Sequence, residues 1–260
     1  MNKKAVRLQG FKFKPFSKAQ KKILSWWHDD SPVSDRFICI ADGSIRSGKS
    51  VCMVLSFVLF VMHNFNQMNA AMAGKSVGSF RRNVLTTLKQ QMLALGYEVI
   101  EHRSENYIEV VKGNVVNYFY IFGGKDESSQ DLIQGMTLCA LLLDEVALMP
   151  QSFYNQATAR LSVEGAKVFC NCNPESPYHW FYTDVLKNLK EQNGLYVHFT
   201  MEDNLTLSEE IKNRYKKMYS GVFADRYIKG KWVVANGLIY DMFKSRHEIE
   251  PEDIPYQICA

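Results

Sequence analysis

The sequence predicts an α/β fold: a mostly parallel central sheet flanked by helices, with one antiparallel hairpin. Three observations carry this. Short apolar runs alternate with helix-like stretches, a glycine-rich loop joins a strand to a helix, and Gly113-Asn114 separates two strand-like segments. Strand–helix alternation implies parallel neighbours, because the chain must cross over before it can return in the same direction. The turn at Gly113-Asn114 makes the sheet mixed.

Taken in order, Phe37 to Ala41 is a short apolar strand. Lys49 to His63 reads as a helix that is apolar on most sides and therefore buried. Lys75 to Phe80 is expected as a second strand, and Asn83 to Leu95 as an amphipathic helix stopped at Gly96. Tyr107 to Val111 and Val115 to Phe122 are the hairpin arms. Leu138 to Leu143, Lys167 to Cys172 and Leu195 to Thr200 are further strands, and Ser208 to Tyr219 is a charged amphipathic helix.

Composition narrows the class. The chain has 260 residues, 47% hydrophobic and 22% charged, which are globular values that exclude collagen, coiled coil and disorder as the main class. The longest apolar run, Val51 to Met62, is broken only by Ser56 and falls short of the ~18 residues a membrane span needs. No apolar segment follows Met1-Asn2-Lys3-Lys4, so a signal peptide is not expected. The cysteines contain no C-x-x-C pair and the histidines no H-x-x-x-H pair, so we expect reduced thiols and no structural metal. Residues 1–22 carry eight lysines and arginines and no acid, an arm suited to a polyanion or simply to solvent.

Gly43-Ser44-Ile45-Arg46-Ser47-Gly48-Lys49-Ser50 matches G-x-x-x-x-G-K-[ST] in full, between a strand and a helix. Glycines let the backbone fold so that several N–H groups face one anion, and the helix N-terminus adds positive charge. Lys49 suits the β- and γ-phosphates, and the Ser50 hydroxyl suits Mg²⁺. Arg46 has two roles open to it, charge on the γ-phosphate side or an ion pair. Leu141 to Leu143 then runs into Asp144-Glu145, and adjacent acids at the end of a buried strand are costly unless they hold a cation or do chemistry. Asp144 is the Mg²⁺ acid and Glu145 the base that activates water. Together these features read as a hydrolysing P-loop NTPase of the ASCE type, with ATP and Mg²⁺ as cofactors. Asn173, at the end of the Lys167 strand, either contacts the γ-phosphate or belongs to a turn with Pro174. Gln20, with Phe16 before it, either reads an adenine edge or opens an ordinary helix.

Further segments follow in order: Phe119 to Gly124, Leu132 to Gly135, Leu143 to Leu148, Ala159-Arg160-Leu161-Ser162, Asn171 to Pro174, Asp203-Asn204, Arg226 to Trp232 and Gly237 to Phe243. The series resembles the large terminase subunit of tailed bacteriophages, in the PBSX-like branch, over about residues 14–245. The resemblance implies an ATP-driven motor that moves double-stranded DNA into a procapsid. It implies non-specific phosphate contacts, a portal protein and a small terminase subunit as partners, and a ring on the portal from a subunit that is monomeric alone. It places the protein in the cytoplasm of an infected bacterium, with no membrane partner, and outside the mature virion. Lys49, Ser50, Asp144 and Glu145 keep the roles above, Asn171 to Pro174 gains a coupling role, and Gln20 lies near adenine. Arg160 resembles a recurrent arginine that either enters a neighbour's site or forms a structural salt bridge.

The implied organisation is a basic arm and adenine-side helix at 1–35, an ATPase core at 36–205, a helical linker subdomain at 206–236, and at 237–260 the start of a connection to a nuclease domain. The resemblance implies that the full-length protein is also an endonuclease. We expect that domain to be missing here, since 24 residues cannot build one, and we read Asp241, Glu248, Glu250, Glu252 and Asp253 as a solvated linker. For DNA phosphates the candidates are the N-terminal arm, Arg81-Arg82, and Lys212, Arg214, Lys216 and Lys217.

Overall fold

The structure is a computed structural model that describes residues 11–125, 131 and 133–234. In chain order the first elements are α1 (Lys18–Ser25), β1 (Ile38–Gly43), α2 (Lys49–Asn64), β2 (Asn69–Gly74), α3 (Val77–Phe80), a π-helical stretch (Arg81–Leu85) and α4 (Thr86–Ala94). Next come β3 (Glu98–His102), β4 (Tyr107–Lys112), β5 (Val115–Gly123), β6 (Ala140–Asp144), α5 (Gln151–Thr158) and β7 (Lys167–Asn171). A second π-helical stretch (Phe181–Leu186), β8 (Gly194–Phe199), α6 (Glu209–Met218) and α7 (Gly221–Phe223) follow.

The strands form one sheet in the order β3-β4-β5-β2-β6-β7-β1-β8. All pairings from β5 to β8 are parallel, while β4 runs against both β3 and β5. β7 lies between β1 and β6, so the strand ending in Asp144 is one position removed from the strand that feeds the phosphate loop. All the parallel strands share one C-terminal edge, where an α/β sheet binds its ligands.

Both faces of this sheet are covered, which is why its strands read as unbroken apolar runs. On β1, Cys39 and Ala41 enter one core with α1, α2 and α4, while Ile38 and Ile40 enter the other with α5. Phe169 of β7 meets the rings of Trp26, Phe57 and Phe60 at 5.0, 5.4 and 5.5 Å between centroids. The buried Asn117 is tolerated because its amide is satisfied: Oδ1 accepts from the Met68 N–H at 3.0 Å, and Nδ2 donates to the Phe65 carbonyl at 2.8 Å.

One element differs from expectation. The second strand is Asn69–Gly74, and Val77–Phe80, within the expected strand, is helical. Asn69-Ala-Ala-Met-Ala-Gly74 has little strand propensity of its own. It is a strand because it lies between β5 and β6 in the interior of the sheet. Ser76 then starts a helix: its Oγ accepts from the Ser79 N–H at 3.2 Å, and Ser79 Oγ accepts from the Ser76 N–H at 3.3 Å. The helix expected from Asn83 therefore begins at Val77. β3 and α5 were not anticipated. Leu132, Gly237 to Phe243, the five acids from Asp241 to Asp253, and Lys3, Lys4 and Arg7 lie outside the described residues.

Replacing Phe169 by Ala removes the ring at which Trp26, Phe57 and Phe60 converge. We expect a loss of about 3–5 kcal/mol, read as a lower midpoint of urea unfolding; an unchanged midpoint would contradict this packing.

Candidate functional site

The loop between β1 and α2 is held from behind before it presents anything forward. Gly43 (φ 129°) has no room for a side chain, since a Cβ there would lie 1.9 Å from the Phe199 carbonyl oxygen. The Ser44 N–H donates to that same carbonyl at 2.9 Å, and the Ile45 N–H donates to the Tyr227 carbonyl at 2.9 Å. Gly43 and Ser44, both expected to bind nucleotide, therefore anchor the loop and do not line its cavity. The cavity, about 400 Å³, is lined by Arg46, Ser47, Gly48, Lys49 and Ser50, and faced by Glu145, Asn171, Asn173 and Asn204.

Lys49 is buried and its ammonium is folded onto the loop. Nζ donates to the carbonyls of Gly43 at 3.1 Å and Ser44 at 2.7 Å, and to Asn173 Oδ1 at 3.0 Å. Burial pushes its pKa down to about 8, against the nearby Asp42, Asp144 and Glu145 carboxylates. A phosphate entering the loop is a better partner than these neutral oxygens. Asn173, an open choice in the sequence, lines this cavity and touches Lys49.

Asp144 and Glu145 lie at the end of β6, as the sequence implies, and one amide organises them. Asn171 Nδ2 donates to Asp144 Oδ1 at 2.7 Å, while Asn171 Oδ1 accepts from Ser50 Oγ at 3.4 Å and from the Glu145 N–H at 3.3 Å. Glu145 adopts a left-handed conformation (φ 60°), which turns its side chain out of the strand direction. Burial raises the pKa of both acids. For Asp144 the hydrogen bonds from Asn171 and Ser50 oppose this, and for Glu145 the charge of Asp144 adds to it while Lys75 and Lys49 oppose it. A second, polar cavity next to the loop is lined by Arg46, Ser50, Lys75, Ser79, Asp144 and Glu145. Arg46 is exposed and lines both cavities.

On the other side of Gly48 lies a cavity of about 330 Å³ lined by Phe11, Phe13, Phe16, Gln20, Val51, Cys52, Gln91 and Asn204. Gln20 caps α1 as well as facing this space: its Oε1 accepts from the Ser17 N–H at 2.9 Å. Asn204 reaches both cavities and donates from Nδ2 to the Arg46 carbonyl at 2.8 Å, which holds Arg46 in its left-handed conformation (φ 57°). Its role in the site has no local signal in the sequence. Lys75 is also absent from the sequence reading of the site.

Arg160 is not brought to the loop. The Leu138 N–H, ahead of β6, donates to its carbonyl at 2.9 Å. That places it at the N-terminal edge of the sheet, roughly 20 Å from Asp144 by strand rise. Its Nε is buried without a partner among the described residues. Two of the expected DNA-contact clusters are also partly committed within the fold. Arg81 pairs with Glu101, which also holds Lys89 and Arg103. Lys212 pairs with Glu202 at 2.6 Å and Glu209 at 2.8 Å, and Lys216 with Glu202 at 3.0 Å.

The depressed pKa of Lys49 has a measurable sign. Phosphate restores the charged ammonium, so ligand binding near and above pH 8 takes up a proton. Calorimetry of nucleotide binding in buffers of different ionisation enthalpy should show this uptake, with affinity falling by up to about tenfold per pH unit above pH 8. Affinity that rises with pH would contradict a buried, phosphate-facing ammonium.

Comparison with known proteins agrees with this geometry. The sequence profile described as "Terminase large subunit, T4likevirus-type, N-terminal" matches residues 40–247. The large terminase of a thermophilic bacteriophage is 55% identical, with a TM-score of 0.85 over 93% of this chain and 59% of that one. The same protein in complex with ATP-gamma-S gives 52% identity and a TM-score of 0.82, over 93% and 58%. The large terminase ATPase domain of Thermus phage P74-26, at 16% identity, shares the fold, with a TM-score of 0.61 over 85% of this chain and 95% of that one. No curated protein sequence matches. The chain thus spans less than two thirds of the thermophilic phage protein. With a profile match over most of its length and more than half its residues shared with a large terminase, the chain belongs to the terminase large subunit family, in its N-terminal region.

Proposed function

We propose that this chain binds Mg-ATP and hydrolyses it, and that in the whole protein hydrolysis drives double-stranded DNA into a procapsid. The observation that carries the reading is the hydrogen-bonded set Ser50–Asn171–Asp144, with Glu145 beside it facing the phosphate loop. The N–H groups of residues 46–50 and the Lys49 ammonium bind the β- and γ-phosphates. Gln20, Phe16 and Asn204 receive the base and sugar side.

The donor set fits Mg²⁺, a hard cation that takes oxygen ligands. Ser50 Oγ and the Asp144 carboxylate, linked through Asn171, would hold it, and the ion would neutralise charge on the β- and γ-oxygens. Glu145 accepts the proton of the attacking water, for which its raised pKa suits it. Arg46 stands on the γ-phosphate side. Arg160, at the far edge of its own sheet, acts in a neighbouring subunit, so the ring completes the site. A nucleotide-gated module without turnover is the alternative, but it has no need of a base beside the metal acid.

The reading extends to partners: a portal protein, a small terminase subunit, and DNA held through its phosphates, all in the cytoplasm of an infected bacterium. The sequence segments Ala159 to Ser162, Asn173-Pro174 and Gly230 to Phe243 together support a place in the PBSX-like branch within the family.

ATP turnover of mixed variants tests the roles together. Glu145→Gln should bind ATP yet lose about 10²–10⁴ in rate, and Arg160→Ala should lose about 10³ or more. Mixing the two inactive variants in the ring assembled on the portal should restore turnover, because an Arg160→Ala site can borrow Arg160 from its neighbour. No recovery would remove the shared site, and full activity in Glu145→Gln would remove the base. DNA binding should be weak, indifferent to sequence, and lost by about 200 mM salt in a filter or anisotropy assay. Tight, salt-insensitive binding would contradict the motor reading.

A further inference from the structure

Asp42 is the last side chain before the phosphate loop, and it is wholly buried. A carboxylate in that position is costly unless its oxygens are matched. Oδ1 accepts from the Tyr196 hydroxyl at 2.6 Å and meets His198 Nδ1 at 2.9 Å, while Oδ2 accepts from the Trp232 indole N–H at 2.7 Å. Tyr196 and His198 belong to β8, which the sheet already holds against β1. Trp232 has no such reason to be there, since it comes from the segment beyond α7, four residues past a π-helical stretch (Ala224–Ile228).

That segment touches the site at several other points. The Ile45 N–H donates to the Tyr227 carbonyl at 2.9 Å. A Cβ on Gly230 (φ 65°) would lie 2.6 Å from the Gly43 Cα, so the two backbones are in contact and only glycine fits. Arg226 pairs with Glu175 at 3.3 Å, two residues past Asn173, and also donates to the Val233 carbonyl at 2.9 Å. The Trp232 ring stacks on Tyr182 at 5.1 Å.

We propose that Trp232 is a positioning residue for nucleotide binding. Its indole holds the Asp42 carboxylate, and through it the strand end from which the phosphate loop springs. The physical route runs through Gly43. Lys49 is bonded to the Gly43 and Ser44 carbonyls, and an entering phosphate competes for that ammonium. Any shift of Gly43 meets Gly230 directly and Trp232 through Asp42. The segment from Ala224 to Val234 therefore moves with the loop and carries the state of the nucleotide toward the C-terminal side of the chain.

This inference rests on the loop's being a nucleotide site, and the experiment separates the two. The chain has four tryptophans, so fluorine NMR of fluorotryptophan-labelled protein gives four signals, with Trp232 assigned by its loss in Trp232→Phe. The Trp232 signal should shift on adding Mg-ADP and shift differently with Mg-ATP-gamma-S, while Trp27, bonded to Ser56 inside the core, stays still. Trp232→Phe keeps a ring for Tyr182 but loses the N–H, and ADP affinity should fall about fivefold, a part of what a hydrogen bond to a charged group contributes. Trp232→His, which keeps an N–H, should recover most of it. A Trp232 signal that stays fixed while calorimetry shows ADP bound overturns the proposal and leaves the nucleotide site intact. Equal losses in the Phe and His variants mark a packing role and overturn it as well. No ADP binding by the wild-type chain removes both readings.

Discussion

The site depends on one side-chain amide. Asn171 donates to Asp144 with its nitrogen and accepts from Ser50 and the Glu145 backbone with its oxygen. It is buried, so each unmade bond would carry the full cost of desolvation. An amide suits the position because it is neutral and presents both a donor and an acceptor. An aspartate there would set two buried carboxylates against each other, and a leucine would take the Asn171 donor from Asp144. β7 can supply this group only because it lies between β1 and β6. The strand order and the geometry of the site are therefore one constraint, since the inserted strand sets the loop hydroxyl of Ser50 and the Asp144 carboxylate on either side of one amide.

The phosphate loop adds a second demand, met from the opposite side. Its first N–H groups are bonded to Phe199 and Tyr227, its Arg46 carbonyl to Asn204, and the carboxylate at its root to Trp232. The loop is thus shaped by chain that comes 150 or more residues later. Preorganisation of this kind removes part of the ordering cost of binding, because the loop is already held in one conformation.

Those distances explain what could be read from sequence. The loop motif, the buried α2, the acidic pair and the hairpin at Gly113-Asn114 are local patterns, and each was legible. β2 was not, because Ala70, Ala71 and Ala73 gain their strand character from neighbours rather than from propensity. Asn204 and Trp232 were legible as residues of a familiar segment but not as parts of the site, since their partners are remote. Charge clusters were visible too, but not that Arg81 and Lys212 are already paired with acids. Gly43 and Ser44 belong to the motif, and only the fold separates residues that shape a loop from residues that face its contents.

The sheet order also sets a timetable. β1 gains its neighbours only when β7 and β8 exist, and Gly43 pairs with Phe199 across about 150 residues of intervening chain. At ribosomal speeds of about 5–20 residues per second, β1 waits roughly 10–30 s for those partners. The apolar α2 is covered sooner, because α1 precedes it and α4 and β5 follow it closely in the chain. The edge formed by β3, β4 and β5 has no such delay, because its pairings are local. The strand that feeds the phosphate loop is therefore the last part of the sheet to find its neighbours.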